Sequence, residues 1–364
     1  MGLIEKYLDL MPPEIQAIPK ENIVTLGEGS TPLWRADRLK EYLNEKYGRF
    51  ESDIYLKDEG KNYPTGSFKD RGMTTAVSYE KFLGRKAEIC ASTGNTLAAA
   101  ATFCARAGIK LFGLLPDGKV ALGKISQAFA CGAEVIQVRG NFDEAFRIVK
   151  EIVAKNPDIG LLNSLNPNRM PGQMTGAYEI CDKLGRAPTY HYIPVGNAGN
   201  ITAYWWGYKK YIEIGKIQPF NRPAMRGYQA AGAAPIVLNR IVESPETVAS
   251  AIRIGNPARW EDAKTARRES VGIIDSVTDE EILEAYALLP RLEQIFCEPA
   301  SAASVAGLIK DVKMRRLYFD KSYIAVCVLT GHGLKDPVTA ERVFTKNPIV
   351  VDAKFDAVMD VIKM

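Results

Sequence analysis

Histidine is almost absent from this sequence: among 364 residues there are two, His191 and His332. The six cysteines are scattered and form no Cys-x-x-Cys pair, so the Cys/His clusters of ordinary zinc sites are missing. We therefore expect no metal ion. With so little histidine, acid–base chemistry has to depend mainly on lysine, a carboxylate, a hydroxyl or a cofactor.

Two further absences narrow the location and the partners. No apolar run approaches the roughly 18 residues of a membrane span, and residues 1–7 carry charges too early for a secretory signal. We expect a cytoplasmic protein without a membrane partner. The 47 basic and 43 acidic residues leave a net charge of only +4, and they form no basic tail, so we expect no nucleic-acid partner.

The pattern of short apolar runs indicates the fold class. Runs of about five apolar residues alternate with longer helical patterns, which is typical of βαβ units and a parallel sheet. We predict an α/β fold. The predicted strands are 53–57, 87–91, 110–115, 134–138, 190–195, 225–229 and 323–329, and the predicted helices are 67–82, 95–108, 125–130, 142–154, 199–212, 279–288 and 300–310. Residues 1–52 are expected to form an N-terminal arm.

The most informative segment is residues 64–72, Pro-Thr-Gly-Ser-Phe-Lys-Asp-Arg-Gly. Lys69 follows an aromatic residue and lies just inside a predicted helix N-terminus, where the helix dipole disfavours positive charge. Desolvation and that dipole both lower the pKa of a lysine, as a Schiff-base lysine requires. The alternative is a lysine that reaches solvent or pairs with Asp70.

Three glycine turns follow predicted strands. Residues 194–200, Pro-Val-Gly-Asn-Ala-Gly-Asn, could bring backbone N–H groups to a phosphate, or could simply be a tight connection. Residues 91–96, Ala-Ser-Thr-Gly-Asn-Thr, end a strand where ligands of open α/β sheets bind, although Ser92 or Thr93 could also cap the next helix. The third turn, 329–336, is Leu-Thr-Gly-His-Gly-Leu-Lys-Asp.

In this order the segments resemble the pyridoxal-phosphate enzymes of fold type II, the tryptophan synthase β-like fold, and among these the threonine synthase family. The resemblance runs from Glu-Gly-Ser-Thr-Pro at 28–32 to Gly-His-Gly-Leu-Lys-Asp-Pro at 331–337. It implies pyridoxal 5′-phosphate as cofactor. It also implies two domains with mostly parallel sheets: a larger one from 1–84 plus 166–364, and a smaller inserted one, 85–165, closing over the substrate.

The resemblance also assigns the cofactor-binding residues. Lys69 is the catalytic residue and forms the Schiff base, Asn95 bonds the ring 3′-oxygen, and the Thr330 hydroxyl faces the pyridine nitrogen. A neutral hydroxyl leaves that nitrogen less protonated than a carboxylate does, which makes the ring a shallower electron sink. The cofactor phosphate is held by Gly196, Asn197, Ala198, Gly199 and Asn200.

The substrate implied by the family is O-phosphohomoserine, which reacts with water to give threonine and phosphate, in a homodimer. The residues implied for substrate binding are Ser92, Thr93, Thr96, Asn163, Ser164 and Arg169, and Asn197 could be shared with the cofactor. Lys124 could help electrostatically, or it could belong to a solvated face. A guanidinium at Arg169 suits bidentate phosphate recognition. The alternative for Arg169 is an ordinary surface arginine in a loop.

Two observations bear on fine specificity. Tyr63 is an insertion relative to the family's usual motif before the Schiff-base lysine. The insertion either bulges outward or changes the shape of the substrate entrance, and the sequence does not decide between the two. The nearest rival activity is a serine/threonine dehydratase, which shares the fold and cofactor. Dehydratases tend to have histidine at the position of Thr96 and more consecutive glycines in the phosphate loop than residues 196–199 provide.

An alternative from another class is a catalytically silent protein that binds a nucleotide or phosphate through its glycine turns. This alternative would leave the sequence context of Lys69 unexplained.

Overall fold

The structure is a computed structural model. It describes residues 2–48, 50–92, 94–117, 122–140, 142–344 and 347–362, with the backbone alone described at 122–124, 142 and 143. None of the helices formed by these residues combines the length and the apolar character that a membrane crossing requires.

The described residues form ten strands in two sheets. The strands are β1 (Leu33–Arg35), β2 (Asp53–Asp58), β3 (Ala87–Ala91), β4 (Lys110–Pro116), β5 (Glu134–Val138), β6 (Ile159–Leu161), β7 (Tyr190–Pro194), β8 (Ala224–Ala230), β9 (Ile273–Val277) and β10 (Ile324–Leu329). The larger sheet has the order β1-β2-β10-β7-β8-β9 and is parallel except for β1, which runs antiparallel to β2. The smaller sheet, β5-β4-β3-β6, is parallel throughout.

Helices connect the parallel strands, as βαβ units require. They are α1 (Leu3–Lys6), α2 (Pro13–Gln16), α3 (Asp37–Tyr47), α4 (Lys69–Phe82), α5 (Asn95–Ala107), α6 (Leu122–Ala130), α7 (Phe142–Lys155), α8 (Arg169–Leu184), α9 (Gly199–Glu213), α10 (Pro235–Leu238), α11 (Trp260–Glu269), α12 (Asp279–Leu292), α13 (Pro299–Lys313), α14 (Pro337–Phe344) and α15 (Phe355–Ile362). The predicted α/β class is confirmed. The predicted strands 87–91 and 134–138 match β3 and β5 at both ends.

The sequence prediction missed α8, which packs against α4. Pro171 lies in the first turn of α8, where its missing N–H costs no intrahelical bond. A Cβ on Gly172 would lie 1.8 Å from the Arg71 carbonyl oxygen, so only glycine lets the two helices approach this closely. Proline and glycine resemble loop signals in the sequence, but here they serve a buried helix contact.

A buried ion network joins α4 and α8 to β2 and the N-terminal arm. The Arg71 side chain is fully buried, and its Nε donates to Glu59 at 2.8 Å while Nη1 donates to Glu179 at 2.9 Å. Lys57 Nζ donates to the same Glu179 carboxylate at 2.7 Å, and Arg71 Nη2 donates to the Thr31 hydroxyl at 2.9 Å. Two cations and two carboxylates therefore balance one another in the core.

Replacing Glu179 by glutamine leaves the Arg71 and Lys57 cations short of a carboxylate. We expect Glu179→Gln to lower the free energy of unfolding by about 3–5 kcal/mol at pH 7, the usual cost of breaking a buried ion pair from one side. The matched control is Glu261→Gln, which removes a carboxylate from an exposed ion pair with Lys264 at 3.3 Å. Because exposed ion pairs contribute little, we expect this variant to change the free energy of unfolding by less than about 1 kcal/mol. Urea unfolding of both variants measures the difference, and equal losses would contradict the role of the network.

The same variant has a predictable pH dependence. Burial alone would raise the pKa of the Glu179 carboxyl, but the Arg71 and Lys57 charges hold this pKa well below its usual range. A carboxyl with a lowered folded pKa stabilises the protein above its unfolded pKa of about 4.3 and loses that contribution as the pH falls. The stability difference between wild type and Glu179→Gln should therefore shrink below about pH 4.3.

Candidate active site

Lys69 lies beside the carboxyl end of β10. The loop before it, residues 64–68, is held there by two backbone hydrogen bonds: Phe68 N donates to the Thr330 carbonyl at 3.0 Å, and His332 N donates to the Gly66 carbonyl at 2.9 Å. Gly66 has a φ of +76°, a left-handed conformation that favours glycine. The structure therefore brings Lys69 and Thr330 together, as the sequence predicts.

The Lys69 amine is held in a desolvated and cationic environment. Its Nζ lies 3.8 Å from the centre of the Phe68 ring, and it has no hydrogen-bond or ion-pair partner in the described part of the chain. Burial, reinforced by the Arg169 charge and opposed by the Glu298 carboxylate, lowers the pKa of Lys69 to about 7. The alternative that Lys69 pairs with Asp70 is wrong, because Asp70 accepts from the Thr65 backbone N and hydroxyl instead.

A carboxylate that sequence reasoning missed lies between two predicted cofactor ligands. Asn95 Nδ2 donates to the Glu298 Oε1 and Oε2 atoms at 3.1 and 3.0 Å, and the Thr330 hydroxyl donates to Oε1 at 3.1 Å. Glu298 directly precedes α13, and burial raises the pKa of its carboxyl. Asn95 and Thr330 are therefore brought to one place through Glu298. The sequence signal was the Glu-Pro pair at 298–299, a typical helix start.

The turn at residues 196–200 connects β7 to α9. Ala198 has a φ of +63°, and no side chain caps the first N–H groups of α9. Asn200 is buried, and in the described part of the chain neither atom of its amide has a hydrogen-bond partner. A buried amide without a partner normally costs stability, so it indicates a missing polar ligand. An uncapped helix N-terminus with a left-handed residue before it is a typical anion cradle.

Arg169 is a buried guanidinium near Lys69. It is the first residue of α8 and 2% exposed, its Nη1 donates to the Leu162 carbonyl at 3.4 Å, and its Nε has no partner in the described part of the chain. Burial lowers its pKa to about 10, and the nearby Arg259 charge adds to this effect. The alternative of a surface arginine is wrong. A buried guanidinium without a carboxylate favours an anionic ligand.

Arg259 is a second cation that sequence reasoning missed, and it connects the substrate residues to the phosphate turn. Its Nε donates to the Ser164 carbonyl at 3.4 Å, and its backbone N donates to the Asn197 carbonyl at 3.3 Å. Its guanidinium also pairs with Asp262 at 2.9 Å and lies over the Trp206 ring. Arg259 is far from every motif in the sequence, so no local pattern could have identified it.

The remaining predicted substrate residues differ in the hydrogen bonds and the burial of their side chains. The Asn163 amide bonds the Ala91 backbone at both ends, at 2.9 and 2.8 Å, and so fastens the end of β3. The Ser92 hydroxyl accepts from Gly94 N at 3.3 Å, which forms a local turn and does not cap α5. Thr96 is buried and Ser164 is partly exposed. Thr93 and the Lys124 side chain lie outside the described residues.

A cavity of about 350 Å³ opens between the Lys69 loop and the start of α5. It is lined by Pro64, Thr65, Gly66, Gly94, Asn95, Ala98, Ser126, Gln127, His332, Leu334 and Lys335. The inserted Tyr63 is 61% exposed and is not among these lining residues. Lys335 donates to Gln127 on α6 at 2.8 Å, and burial lowers its pKa.

The two histidines are not placed as reacting groups. His191 is buried against the rings of Tyr204 and Tyr208, and burial lowers its pKa to about 3. His332 accepts from Leu334 N through its Nδ1 at 3.2 Å. Among the residues with described side chains, no group of three His, Cys, Asp or Glu residues could hold a metal ion.

The residues at this site fit pyridoxal 5′-phosphate. The group needs a lysine with a low pKa, polar contacts for its ring and a cradle for its phosphate. Lys69 supplies the first, Asn95 and Thr330 offer the second, and the turn with its partnerless Asn200 offers the third.

Comparisons with known proteins agree with this fit. The family described as "Pyridoxal-phosphate dependent enzyme" matches residues 24–331. Threonine synthase of Halalkalibacterium halodurans is 51% identical over 362 residues, covering 100% of this chain and 97% of the relative. Threonine synthase of Synechocystis sp. is 52% identical over 336 residues, covering 92% of this chain and 84% of the relative.

Solved structures show the same fold at low sequence identity. Maize serine racemase has a TM-score of 0.71 and 18% identity, covering 91% of this chain and 97% of its own. The processed form of threonine deaminase isoform 2 from Solanum lycopersicum has a TM-score of 0.70 and 21% identity, covering 90% of this chain and 85% of its own. The expected fold type II and its cofactor are confirmed. The chain therefore belongs to the pyridoxal-phosphate-dependent enzymes and, within them, to the threonine synthase family.

Proposed function

We propose that this chain converts O-phosphohomoserine and water into threonine and phosphate, as a carbon–oxygen lyase. Phosphate leaves from the γ-carbon of the substrate, and water then adds at the β-carbon. The chain shares about half of its residues with threonine synthases over nearly its full length. This similarity supports the overall reaction. The geometry around Lys69, Arg169 and Glu298, a region that we call the cleft, supports the assignment of roles to residues.

The single observation that carries the proposal is the Arg169 guanidinium. It is buried, lacks a carboxylate partner in the described part of the chain, and lies near the Lys69 amine. All amino-acid substrates carry an α-carboxylate, but only a phosphorylated substrate supplies a second anion for such a cation, and a phosphate suits the guanidinium fork. This feature favours a threonine synthase over a dehydratase. By the family resemblance we also assign substrate binding to Ser92, Thr93, Thr96, Asn163 and Ser164.

Lys69 is the group that moves protons at the substrate carbons. With a pKa of about 7, a large fraction of its amine is neutral at physiological pH and can accept a proton. When bound, pyridoxal phosphate withdraws electrons from the substrate's α-carbon and so makes its proton acidic. Lys69 holds that proton at Nζ and can return it to the substrate or to the leaving group. The Phe68 ring shields the amine from water on one side.

The other roles concern binding and orientation. We assign the cofactor phosphate to the backbone of residues 196–199 and the Asn200 amide, the ring 3′-oxygen to Asn95, and the ring nitrogen to the Thr330 hydroxyl. The smaller sheet lies within 85–165, which supports the assignment of this range as the domain that closes over the substrate. A homodimer and a cytoplasmic location complete the proposal on the strength of the family resemblance.

The cofactor assignment predicts one labelled lysine. Borohydride reduction of the cofactor-loaded protein, followed by digestion and mass spectrometry, should place the pyridoxyl group on the peptide that contains Lys69. Lys69→Ala should abolish both the label and turnover, because the amine is both attachment point and base. The control Lys110→Ala changes an exposed lysine paired with Glu134 and should keep both. A label on another lysine would overturn the assignment.

The substrate assignment predicts a selective loss at Arg169. A charge-assisted hydrogen bond is worth about 1.5–3 kcal/mol, so Arg169→Ala should lower kcat/KM for O-phosphohomoserine by roughly 10- to 150-fold. Side activity on serine or threonine, which lack a phosphate, should change much less. Arg169→Lys should recover part of the loss but lack the bidentate fork. The measurement is steady-state turnover of O-phosphohomoserine, phosphoserine, serine and threonine.

Two further measurements show whether the loss in Arg169→Ala comes from substrate binding. The circular dichroism spectrum and the absorption of the bound cofactor should be unchanged in Arg169→Ala if the fold is intact. The Arg169 charge lowers the pKa of Lys69, so its removal should raise that pKa and move the acidic limb of the pH profile to higher pH. Equal losses on phosphorylated and unphosphorylated substrates would assign Arg169 to folding or closure and would contradict the proposal.

A further inference from the structure

Glu298 is a buried carboxylate at the centre of the proposed ring site. It is 4% exposed, and the three hydrogen bonds to its carboxylate come from Asn95 and Thr330. These are the two side chains that we assign to the cofactor ring. The carboxylate therefore contacts both proposed ring ligands at once, although it belongs to neither motif.

The contact joins parts of the chain that are far apart in sequence. Asn95 begins α5, directly beyond β3 of the smaller sheet, while Glu298 and Thr330 belong to segments that pack on the larger sheet. Asn95 and Glu298 are 203 residues apart. The carboxylate is thus a polar link between segments that belong to the two sheets.

Hydrogen-bonding capacity at this cluster is left over for a ligand. The Asn95 amide nitrogen has two hydrogens and lies about equally far from both Glu298 oxygens; one hydrogen shared between these oxygens leaves the second for an acceptor. The Thr330 hydroxyl has one hydrogen, and while it donates that hydrogen to Glu298 its oxygen can only accept. In this orientation it suits a ring nitrogen that carries a proton, in contrast to the less protonated nitrogen expected from a neutral hydroxyl. Glu298 therefore fixes the orientation of both side chains, and each side chain keeps one hydrogen-bonding group for a ligand.

The backbone around Glu298 leaves little freedom for its side chain. Glu298 N donates to the Gly331 carbonyl at 2.9 Å, and Gly331 N donates to the Ser301 hydroxyl at 3.0 Å. A Cβ on Gly331 would lie 2.7 Å from Glu298 Oε1, so a side chain there would displace the carboxylate. The Ser301 hydroxyl is also 3.1 Å from the Thr330 hydroxyl.

From these contacts we propose that Glu298 is a positioning residue that holds Asn95 and Thr330 in the orientation in which they receive the cofactor ring. The inference rests on the proposed function for the identity of the ring ligands. Glu298 acts through the two side chains that it bonds, so its removal changes cofactor binding even where the fold is intact.

The test compares cofactor affinity in two conservative variants of the whole chain, of which Glu298→Gln is isosteric and Glu298→Asp keeps the charge. We expect Glu298→Gln to raise the Kd for pyridoxal phosphate at least tenfold, about the loss of one charge-assisted hydrogen bond. Its bound-cofactor absorption band should also shift. Glu298→Asp keeps the charge and should lie between wild type and Glu298→Gln. Glu293→Gln is the matched control, since Glu293 is a partly buried carboxylate that bonds the Leu39 backbone, and its Kd and spectrum should stay unchanged.

A double-mutant cycle separates this role from a direct charge effect on Lys69. If Glu298 acts through its two partners, Glu298→Gln should change the Kd much less in an Asn95→Ala, Thr330→Val background than in wild type. The same fold-change in both backgrounds would overturn the proposal, and so would a wild-type Kd and spectrum in Glu298→Gln. Wild-type turnover of O-phosphohomoserine tests the proposed function separately, because the affinity measurement does not depend on which substrate is used.

Discussion

The Arg71 guanidinium, buried two residues beyond Lys69, bonds Glu59 and Glu179 and thereby ties the start of α4 to α8 and to the chain just after β2. Because α4 and α8 approach closely at Gly172, the first residues of both helices have little freedom. Those first residues are Lys69 and Arg169. A structural ion network therefore sets where the two cations of the cleft lie.

Charge is balanced in the network and unbalanced in the cleft. Within the network two cations face two carboxylates, so the buried charges stabilise one another. In the cleft the Lys69 and Arg169 cations have no ion-pair partner in the described part of the chain, and the Glu298 carboxylate accepts from neutral donors. A phosphorylated substrate and a phosphorylated cofactor both complement this surplus of positive charge.

The sequence predicted much of the site, because its residues follow strand ends in short local motifs. The motifs that contain Lys69, Asn95 and Thr330 were found in this way, and the family resemblance implied the role of each residue. The structure brings the three residues together. Glu298 and Arg259 were missed because their roles arise from contacts with residues about 30 to 200 positions away. The helix α8 was missed because its proline and glycines resemble loop signals, and only the approach of α4 explains them.

The account depends most on the claim that burial and the Arg169 charge lower the pKa of Lys69. The direct measurement is the pH dependence of acylation at each lysine of the cofactor-free protein, followed by peptide mass spectrometry. The account predicts that Lys69 reacts with a midpoint near the pKa of about 7 that burial and the Arg169 charge produce. A midpoint near the ordinary lysine pKa of about 10.4 would contradict it.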